Sequence, residues 1–507
     1  MSILIKGATI LAGGQAGMEP FTGDMLVEGE RIAAIGTGLE APEGTQTLDG
    51  NGKLVMPGLV NAHLHSNEAL FKGRYDNMPL EVWMLYSYPI RAAKALPPRL
   101  VYLRSMLVAM ESLRTGVTCI TDDLYESPRS ELELMGAAID AYDDVGIRAT
   151  VSAHVVNRNF LDTIPFTRDY VSQDLQDEIG RMIPMSTQEY LAFVKEAHAR
   201  FHGRSGRIRT MLAPSAPQRC TVDLMQAANE LAKEWDAPFH THIVETKVQG
   251  VTGPEFYGKS LMAYMDDLGL LSPWTTIAHS IWVSDDDIAR MGRAGVCVAH
   301  NAISNQKLGA GTAPVRKLLD AGVHVGLGSD GICSNDTPRI FDVMKAAGLM
   351  HKVNNPDWKR WLTASEVLHA ATLGGARTAR LEAETGSLEA GKKADFLVLD
   401  METASFTPMN DLRQHLVYCE NGSSIEKVFV NGEMVVDGGR LTKVDEKALL
   451  AELREMMPAF QEYTLGVEAA NRVLEPAFEK VVKRCYGMDI GMTRCCLLYT
   501  SPSPRDS

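Results

Sequence analysis

Cysteine, long apolar runs and clustered positive charge are all scarce in this 507-residue chain. The 8 cysteines show no C-x-x-C spacing, which argues against both a disulfide framework and a zinc ribbon. No run of about 18 apolar residues exists to span a bilayer. The opening MSILIKGATILAGG carries neither a basic n-region nor an A-x-A site, so no secretory signal is expected. Lys and Arg number 50 against 64 Asp and Glu, a net charge of -14 without a basic block, which disfavours nucleic acid or an anionic membrane as partner. A reducing cytoplasm is the expected setting. With 45% hydrophobic residues, the chain has material for one large domain and a smaller one.

The tail CLLYTSPSPRD (496–506) reads as the translation of a sequencing-library transposase adapter, so 496–507 is set aside from fold reasoning as an expected artefact.

Short apolar segments followed by amphipathic stretches recur over residues 54–330, which implies βα units and a parallel sheet. Eight strand candidates follow: KLVMPGLVNAHLH, GVTCITDD, IRATVSAH, RIRTMLAP, PFHTHIV, TTIAHS, GVCVAH and HVGLGSD. Eight parallel strands with intervening helices describe an α/β fold, the (β/α)8 TIM barrel, whose active site lies at the C-terminal strand ends. Those ends are polar here: His63 and His65, Asp122 and Asp123, His154, Ser215, His242 with Glu245, His279, His300 with Asn301, and Asp330. Any one could be a cap or a satisfied core residue, and for His154, Asp122 or Asp123 alone that reading is as good as the functional one. Their joint placement favours a site.

Residues 1–57 show short alternating strands with Gly-rich turns, and similar pieces return over 385–444. Both ends are expected to build one small composite β-sandwich beside a barrel over 58–384. Residues 445–495 form a helical C-terminal extension that covers a surface or a subunit contact.

Thirteen histidines among 507 residues give about 0.33 His-x-His pairs by chance, yet two occur, at His63/His65 and His240/His242. On a strand, residues two apart face the same side, so His63 and His65 can hold one cation as neutral imidazoles. A third His and a carboxylate from other strands complete an open shell for Zn2+ or Fe2+, and His242 and Asp330 are the candidates.

The segments PGLVNAHLHS, HTHIVETKVQG, IAHSIWVSDDDI, VAHNAISNQKLGAG, GLGSDG and GSLEAGKKADFLVLD resemble, in order, the signatures of the amidohydrolase superfamily. More narrowly they are similar to its branch of guanine, cytosine and S-adenosylhomocysteine deaminases and s-triazine hydrolases. The resemblance implies a distorted barrel with a composite β-sandwich, and the metal ligands His63, His65, His242 and Asp330. His242 is preferred to His240 because the family pattern is His-x-x-Glu, matched by His242 and Glu245. It further implies that Glu245 shuttles a proton to a ring nitrogen, that His279 steadies the oxyanion and that Asp330 takes the proton of the attacking water. Binuclear branches carry a Lys on the fourth strand; RIRTMLAPSAP has none, so one divalent ion per chain is expected, Zn2+ before Fe2+.

The implied reaction is hydrolytic deamination of an aminated purine, pyrimidine, pterin or triazine, with ammonia released. The alternative is removal of chloride or an alkylamine from an s-triazine, and a non-catalytic metal-binding barrel is a distant third. Deaminases of the S-adenosylhomocysteine type carry a His in an A-P-H-A-P pattern after strand four, where this chain has APSAPQRC. That departure counts against a nucleoside and leaves Ser215, Gln218 and Arg219 as contacts to another heterocycle. Glu68, Trp83 and Asn305 are further candidates for the mouth, with Asn67 beside Glu68. Relatives of this kind are commonly homo-oligomers.

Overall fold

The computed structural model describes residues 2–40, 42–182, 184–353 and 355–494; the suspected adapter stretch lies outside them. Two sheets organise the chain. The larger is all-parallel, with strands Leu59–His65, Val117–Asp122, Arg148–Val155, Ile208–Pro214, Phe239–Ile243, Thr275–His279, Cys297–His300 and His324–Leu327 neighbouring one another in chain order. Just beyond the eighth strand, Asp330–Gly331 pairs in parallel with the first, opposite Leu64 and His65. That pairing brings the last strand's end round to the first, so residues far apart in sequence share one rim.

Most barrel strands are buried along their whole length, as expected where helices cover a parallel sheet. The helices between them have sequence-encoded ends. In Asp285–Ala294, the Ser284 hydroxyl accepts from the Asp287 N–H at 3.1 Å, the Asp287 carboxylate accepts from the Ser284 N–H at 2.8 Å, and Gly295 terminates the helix at φ 67°.

The second sheet draws on both chain ends. Its order is Arg440–Leu441, Glu433–Asp437, Ile425–Val430, Phe396–Asp400, Lys53–Pro57, Ser2–Ile10, Phe21–Glu28 and Arg31–Gly36, with Gln46–Asp49 also pairing Ser2–Ile10. It is one mixed nine-stranded sheet. The segment KLVMPGLVNAHLH, read from sequence as a single barrel strand, is two strands: Lys53–Pro57 belongs to this second sheet and Leu59–His65 to the barrel. Continuous apolarity hid the break. The crossing is at Gly58, where an added Cβ would lie 2.0 Å from Thr118 Oγ1, so a side chain cannot be accommodated.

A buried ion pair joins the two sheets. Arg148, at the start of the third barrel strand, reaches Asp395 through Nε–Oδ2 at 2.7 Å and Nη2–Oδ1 at 3.1 Å, and also meets Asn431 Oδ1. Arg148→Ala strands a buried carboxylate, so a loss of about 3–5 kcal/mol of unfolding free energy is expected by denaturant titration; a loss under about 1 kcal/mol would show that this pair does not tie the sheets together.

The C-terminal helices Glu446–Arg472 and Glu475–Gly487 pack beside the barrel mouth. Phe478 and Val481 share an apolar cluster with Trp83, Met84, Leu161 and Ile179, and the rings of Phe478 and Phe160 stack at 5.8 Å. The second helix therefore backs the segment 156–182, which forms part of the mouth. Phe478→Ala is expected to cost about 3–5 kcal/mol, read in the same titration. Among the described residues, no helix is long and apolar enough to cross a membrane.

Candidate active site

Ligand groups converge inside the rim: His63, His65 and Asp330 bring ligand atoms within 4.8 Å of one another, and so do His63, His242 and His279. His63 Nε2 and His65 Nε2 lie 3.2 and 3.5 Å from Asp330 Oδ1, and His242 Nε2 lies 3.3 Å from His65 Nε2. Ligand atoms about 2.1 Å from one ion at tetrahedral angles are separated by about 3.4 Å, so these spacings fit a single divalent cation. His63 Nε2 is buried and makes no hydrogen bond, as an atom reserved for a ligand would.

The chain fixes each imidazole from behind. His65 Nδ1 donates to the Asp123 carbonyl at 2.7 Å and His242 Nδ1 to the Ser215 carbonyl at 3.0 Å, which leaves both Nε2 lone pairs facing the centre. His63 Nδ1 lies 2.9 Å from His240 Nε2. The two members of the second His-x-His pair thus separate: His242 faces the cation position, and His240 sits behind His63.

Electrostatics favour positive charge here. Burial pushes His63 down to about 4 and His242 well below its ordinary value, so both are neutral and free to ligate. Burial opposes a proton on His65 as well, yet the Asp123, Asp330 and Glu68 carboxylates raise it to about 9. Asp330 is buried too, but His63 and the charge of His279 hold it well below the carboxylate range.

Beside this centre stands a proton-handling group. His279 Nε2 lies 3.7 Å from Glu245 Oε1 and 3.9 Å from Asp330 Oδ2, so it stands between the two carboxylates. Asp330 divides its oxygens: Oδ1 faces His63 and His65, while Oδ2 accepts from the Ser304 hydroxyl at 2.5 Å. Burial raises the Glu245 carboxyl, favouring its protonated form. His279 and Asp330 adopt left-handed backbone, φ 73° and 64°, a strained geometry for residues with a Cβ that is concentrated at working sites. At Gly331 a Cβ would lie 1.7 Å from Glu68 Oε2, so a side chain there would displace the Glu68 carboxylate.

A cavity of about 400 Å3 opens over these groups, within the range of small-molecule sites. His65, His242, Glu245, His279 and Asp330 lie on its floor and wall. Of the substrate contacts expected from sequence, Glu68 and Trp83 line it. Glu68 accepts from the Tyr88 hydroxyl at 2.6 Å and the Cys333 N–H at 3.1 Å, and burial raises it to about 7.

Ser215, Gln218 and Asn305 do not line the cavity. Ser215 acts through its carbonyl on His242, Gln218 is buried with Oε1 unbonded, and Asn305 Oδ1 lies 2.9 Å from His279 Nδ1, behind the ring. In place of the expected direct contact, Ser215 and Asn305 support the histidines, while the Gln218 carbonyl accepts from Arg158 Nη1 at 3.2 Å. His154 lines the cavity and donates to Asp123 Oδ2 at 2.8 Å; Asp122 instead accepts from Ser66 and Tyr142. Tyr88, Arg158, Asn159 and Phe160 complete the wall. Tyr88 follows the helix Leu80–Ser87, and Arg158 and Asn159 precede the short helix Phe160–Asp162; the Tyr-Pro and Asn-Arg-Asn turn signals were the available hints.

Residues 54–435 match the model of the amidohydrolase family. Among curated proteins, a 5'-deoxyadenosine deaminase of Methanosarcina mazei is 33% identical over 462 residues, covering 89% of this chain and 97% of the relative. A 5-methylthioadenosine/S-adenosylhomocysteine deaminase of Desulforudis audaxviator is 33% identical over 457 residues, covering 89% and 97%. Among solved structures, an adenosine deaminase from Xanthomonas campestris with bound zinc superposes with a TM-score of 0.79 at 27% identity, covering 91% of this chain and 98% of that one. An atrazine chlorohydrolase from Arthrobacter aurescens complexed with zinc does so at 0.81 and 25%, covering 90% and 100%. With three quarters of its length matched by the family model, and relatives a third identical along nearly their whole length, the chain belongs to the amidohydrolase family.

Proposed function

We propose that this chain is a divalent-metal-dependent hydrolase that deaminates an amino-substituted N-heterocycle, with nucleoside-like purines first among the candidates, and releases ammonia. The observation that carries the reading is the placement of Glu245 and Asp330 on either side of His279, against four converging metal-ligand atoms. The named activities of the curated relatives support hydrolysis of the C–N bond of a cyclic amidine. They also weigh against the inference drawn from Ser215 that a nucleoside is disfavoured.

His63, His65, His242 and Asp330 would hold one Zn2+ or Fe2+, which when bound supplies a Lewis acid and a water acidified toward neutral pH. The remaining chemistry belongs to the side chains. Asp330 accepts the proton of the attacking water on Oδ2, the oxygen turned away from His63 and His65. Glu245, whose carboxyl burial raises, gives its proton to the ring nitrogen beside the carbon under attack, because addition to an amidine is slow unless that nitrogen can take charge as a proton. His279 faces both carboxylates and steadies the oxygen that develops negative charge. Asp330 then returns its proton to the amino group, which departs as ammonia as its C–N bond breaks; the carbon keeps the oxygen as a carbonyl, and the proton still on that oxygen passes to the Glu245 carboxylate and restores the acid.

The second reading is loss of chloride from a triazine, favoured by the likeness to the atrazine chlorohydrolase structure. Chloride needs no proton to leave, so the Glu245 acid is less necessary there. A panel of adenosine, 5'-deoxyadenosine, cytosine, guanine and a chlorotriazine, assayed for ammonia and for chloride, separates the two. Ammonia from an amino-heterocycle is expected; chloride release without ammonia would replace this reading by the second. A cytoplasmic setting and a partner limited to small molecules accompany the proposal.

A further inference from the structure

Arg219 carries a charge that the fold does not use. It lies in the loop after the fourth barrel strand, 8% exposed, on the wall of the catalytic cavity. A guanidinium offers five N–H donors. Here Nη1 reaches Ser215 Oγ at 3.3 Å, Nη2 reaches Met84 Sδ at 3.3 Å, and the buried Nε makes no hydrogen bond. Among the described residues, no carboxylate oxygen lies within ion-pairing distance of it. The other deeply buried arginines are paired, Arg104 with Glu126 and Arg148 with Asp395.

Burial lowers the Arg219 pKa, and the nearby charges of Glu245 and Glu81 act against that shift. Leaving a buried donor unpaired costs about 1–3 kcal/mol, and more for a charged group, so an arrangement of this kind on a cavity wall calls for an acceptor that arrives with the ligand.

We propose that Arg219 is a specificity-determining residue, and that it selects amino-heterocycles carrying an oxygen on the ring carbon next to the nitrogen that Glu245 protonates. The inference rests on the deaminase reading. Glu245 and Arg219 follow adjacent barrel strands, Phe239–Ile243 and Ile208–Pro214, and both face the cavity. A ring whose nitrogen sits at Glu245 turns the substituent on the flanking carbon toward this same wall. In adenosine that carbon, C2, bears hydrogen, which leaves the guanidinium without an acceptor. In isoguanosine it bears oxygen, and cytosine presents the same oxygen beside its amidine. Arg158, also on the wall, is less buried and already donates to Gln218 O and Tyr257 OH, both at 3.2 Å, so the deeper Arg219 is the one that reads the ring.

The test uses zinc-loaded full-length protein and two ligand pairs. Isoguanosine and adenosine differ in the C2 oxygen; S-adenosylhomocysteine and 5'-deoxy-5'-methylthioadenosine differ in an amino-acid tail. Calorimetric titration is expected to give isoguanosine at least about a tenfold affinity advantage over adenosine, since a site built to bond a substrate oxygen rejects the analogue lacking it. That advantage is expected to fall below about threefold in Arg219→Gln, with the ratio within the second pair unchanged. Equal affinities in the unaltered protein, which needs no variant to fold, would overturn the proposal. So would an advantage that survives Arg219→Gln, or a loss confined to the tail-bearing ligand. Ammonia release from the same four compounds reads the reaction separately: an oxygen preference without ammonia refutes the deaminase reading and not the selectivity, and ammonia without the preference does the reverse.

Discussion

Replacing Glu245 by Gln is expected to leave the bound metal in place and to lower kcat about a thousandfold. General acid catalysis contributes about 10²–10⁴ to a rate, and glutamine keeps the shape of the side chain while removing the proton it gives. The variant leaves His63, His65, His242 and Asp330 untouched, so metal content by elemental analysis should match the unaltered protein. The loss should appear in kcat rather than in metal occupancy. Because the amino group must leave as ammonia while its ring nitrogen is protonated, the effect should be larger for amines than for a substrate whose leaving group departs as an anion. Full turnover by Glu245→Gln would remove Glu245 from the chemistry and with it the main reason to prefer deamination over dechlorination.

Stripping the metal is expected to reduce ammonia release to background, and adding back about one equivalent of Zn2+ or Fe2+ per chain to restore it. The spacings of 3.2, 3.5 and 3.3 Å among the converging ligand atoms suit one ion. The fourth barrel strand, Ile208–Pro214, supplies no lysine for a bridged second one. The ion binds the folded chain and not the unfolded one, so the melting temperature should fall with the activity when it is removed. A chelated protein that keeps its rate would contradict the site, and restoration that requires two equivalents would contradict its single-ion form.

Much of this arrangement was legible in the sequence because barrel strands announce themselves. Each is a short, mostly apolar run with a polar residue at or near its C-terminal end: His65 and His279 end the first and sixth strands, His242 is next to last in the fifth, and Asp330 lies just beyond the eighth. The ambiguity between His240 and His242, settled in the sequence only by a family pattern, has a simple geometric form: alternate residues of Phe239–Ile243 point the same way, and it is the depth along the strand that sends one imidazole to Asp330's neighbours and the other behind His63.

What the sequence concealed has physical causes as well. Within KLVMPGLVNAHLH the stretch LVMPGLV is uninterrupted apolar chain, and nothing in its hydropathy marks Gly58 as the passage from one sheet to the other. The reason is steric and comes from Thr118, sixty residues on. Part of the cavity wall comes from residues 88–93 and 156–160, which lie outside the barrel's strand-and-helix pattern, and Phe160 among them depends on contact with Phe478 and its helix near the far end of the described chain. Asn305 and Ser215, expected from sequence to touch the substrate, instead support His279 and His242 from behind. Backbone direction decides that, and composition carries no trace of it. Arg219 stood out in the sequence only as a neighbour of Ser215, the residue that departs from the family pattern. Its lack of a carboxylate partner is a property of the packed structure alone.

The central claim is that Glu245 and Asp330 move protons for a metal-dependent hydrolysis that liberates ammonia. The most direct measurement is enzyme-coupled ammonia detection on zinc-loaded protein with the amino-heterocycle panel, run side by side with Glu245→Gln protein of verified metal content. The account predicts ammonia in step with loss of substrate from the unaltered protein, and about a thousandth of that rate from the variant. No ammonia from any member of the panel, or equal rates from the two proteins, would contradict it.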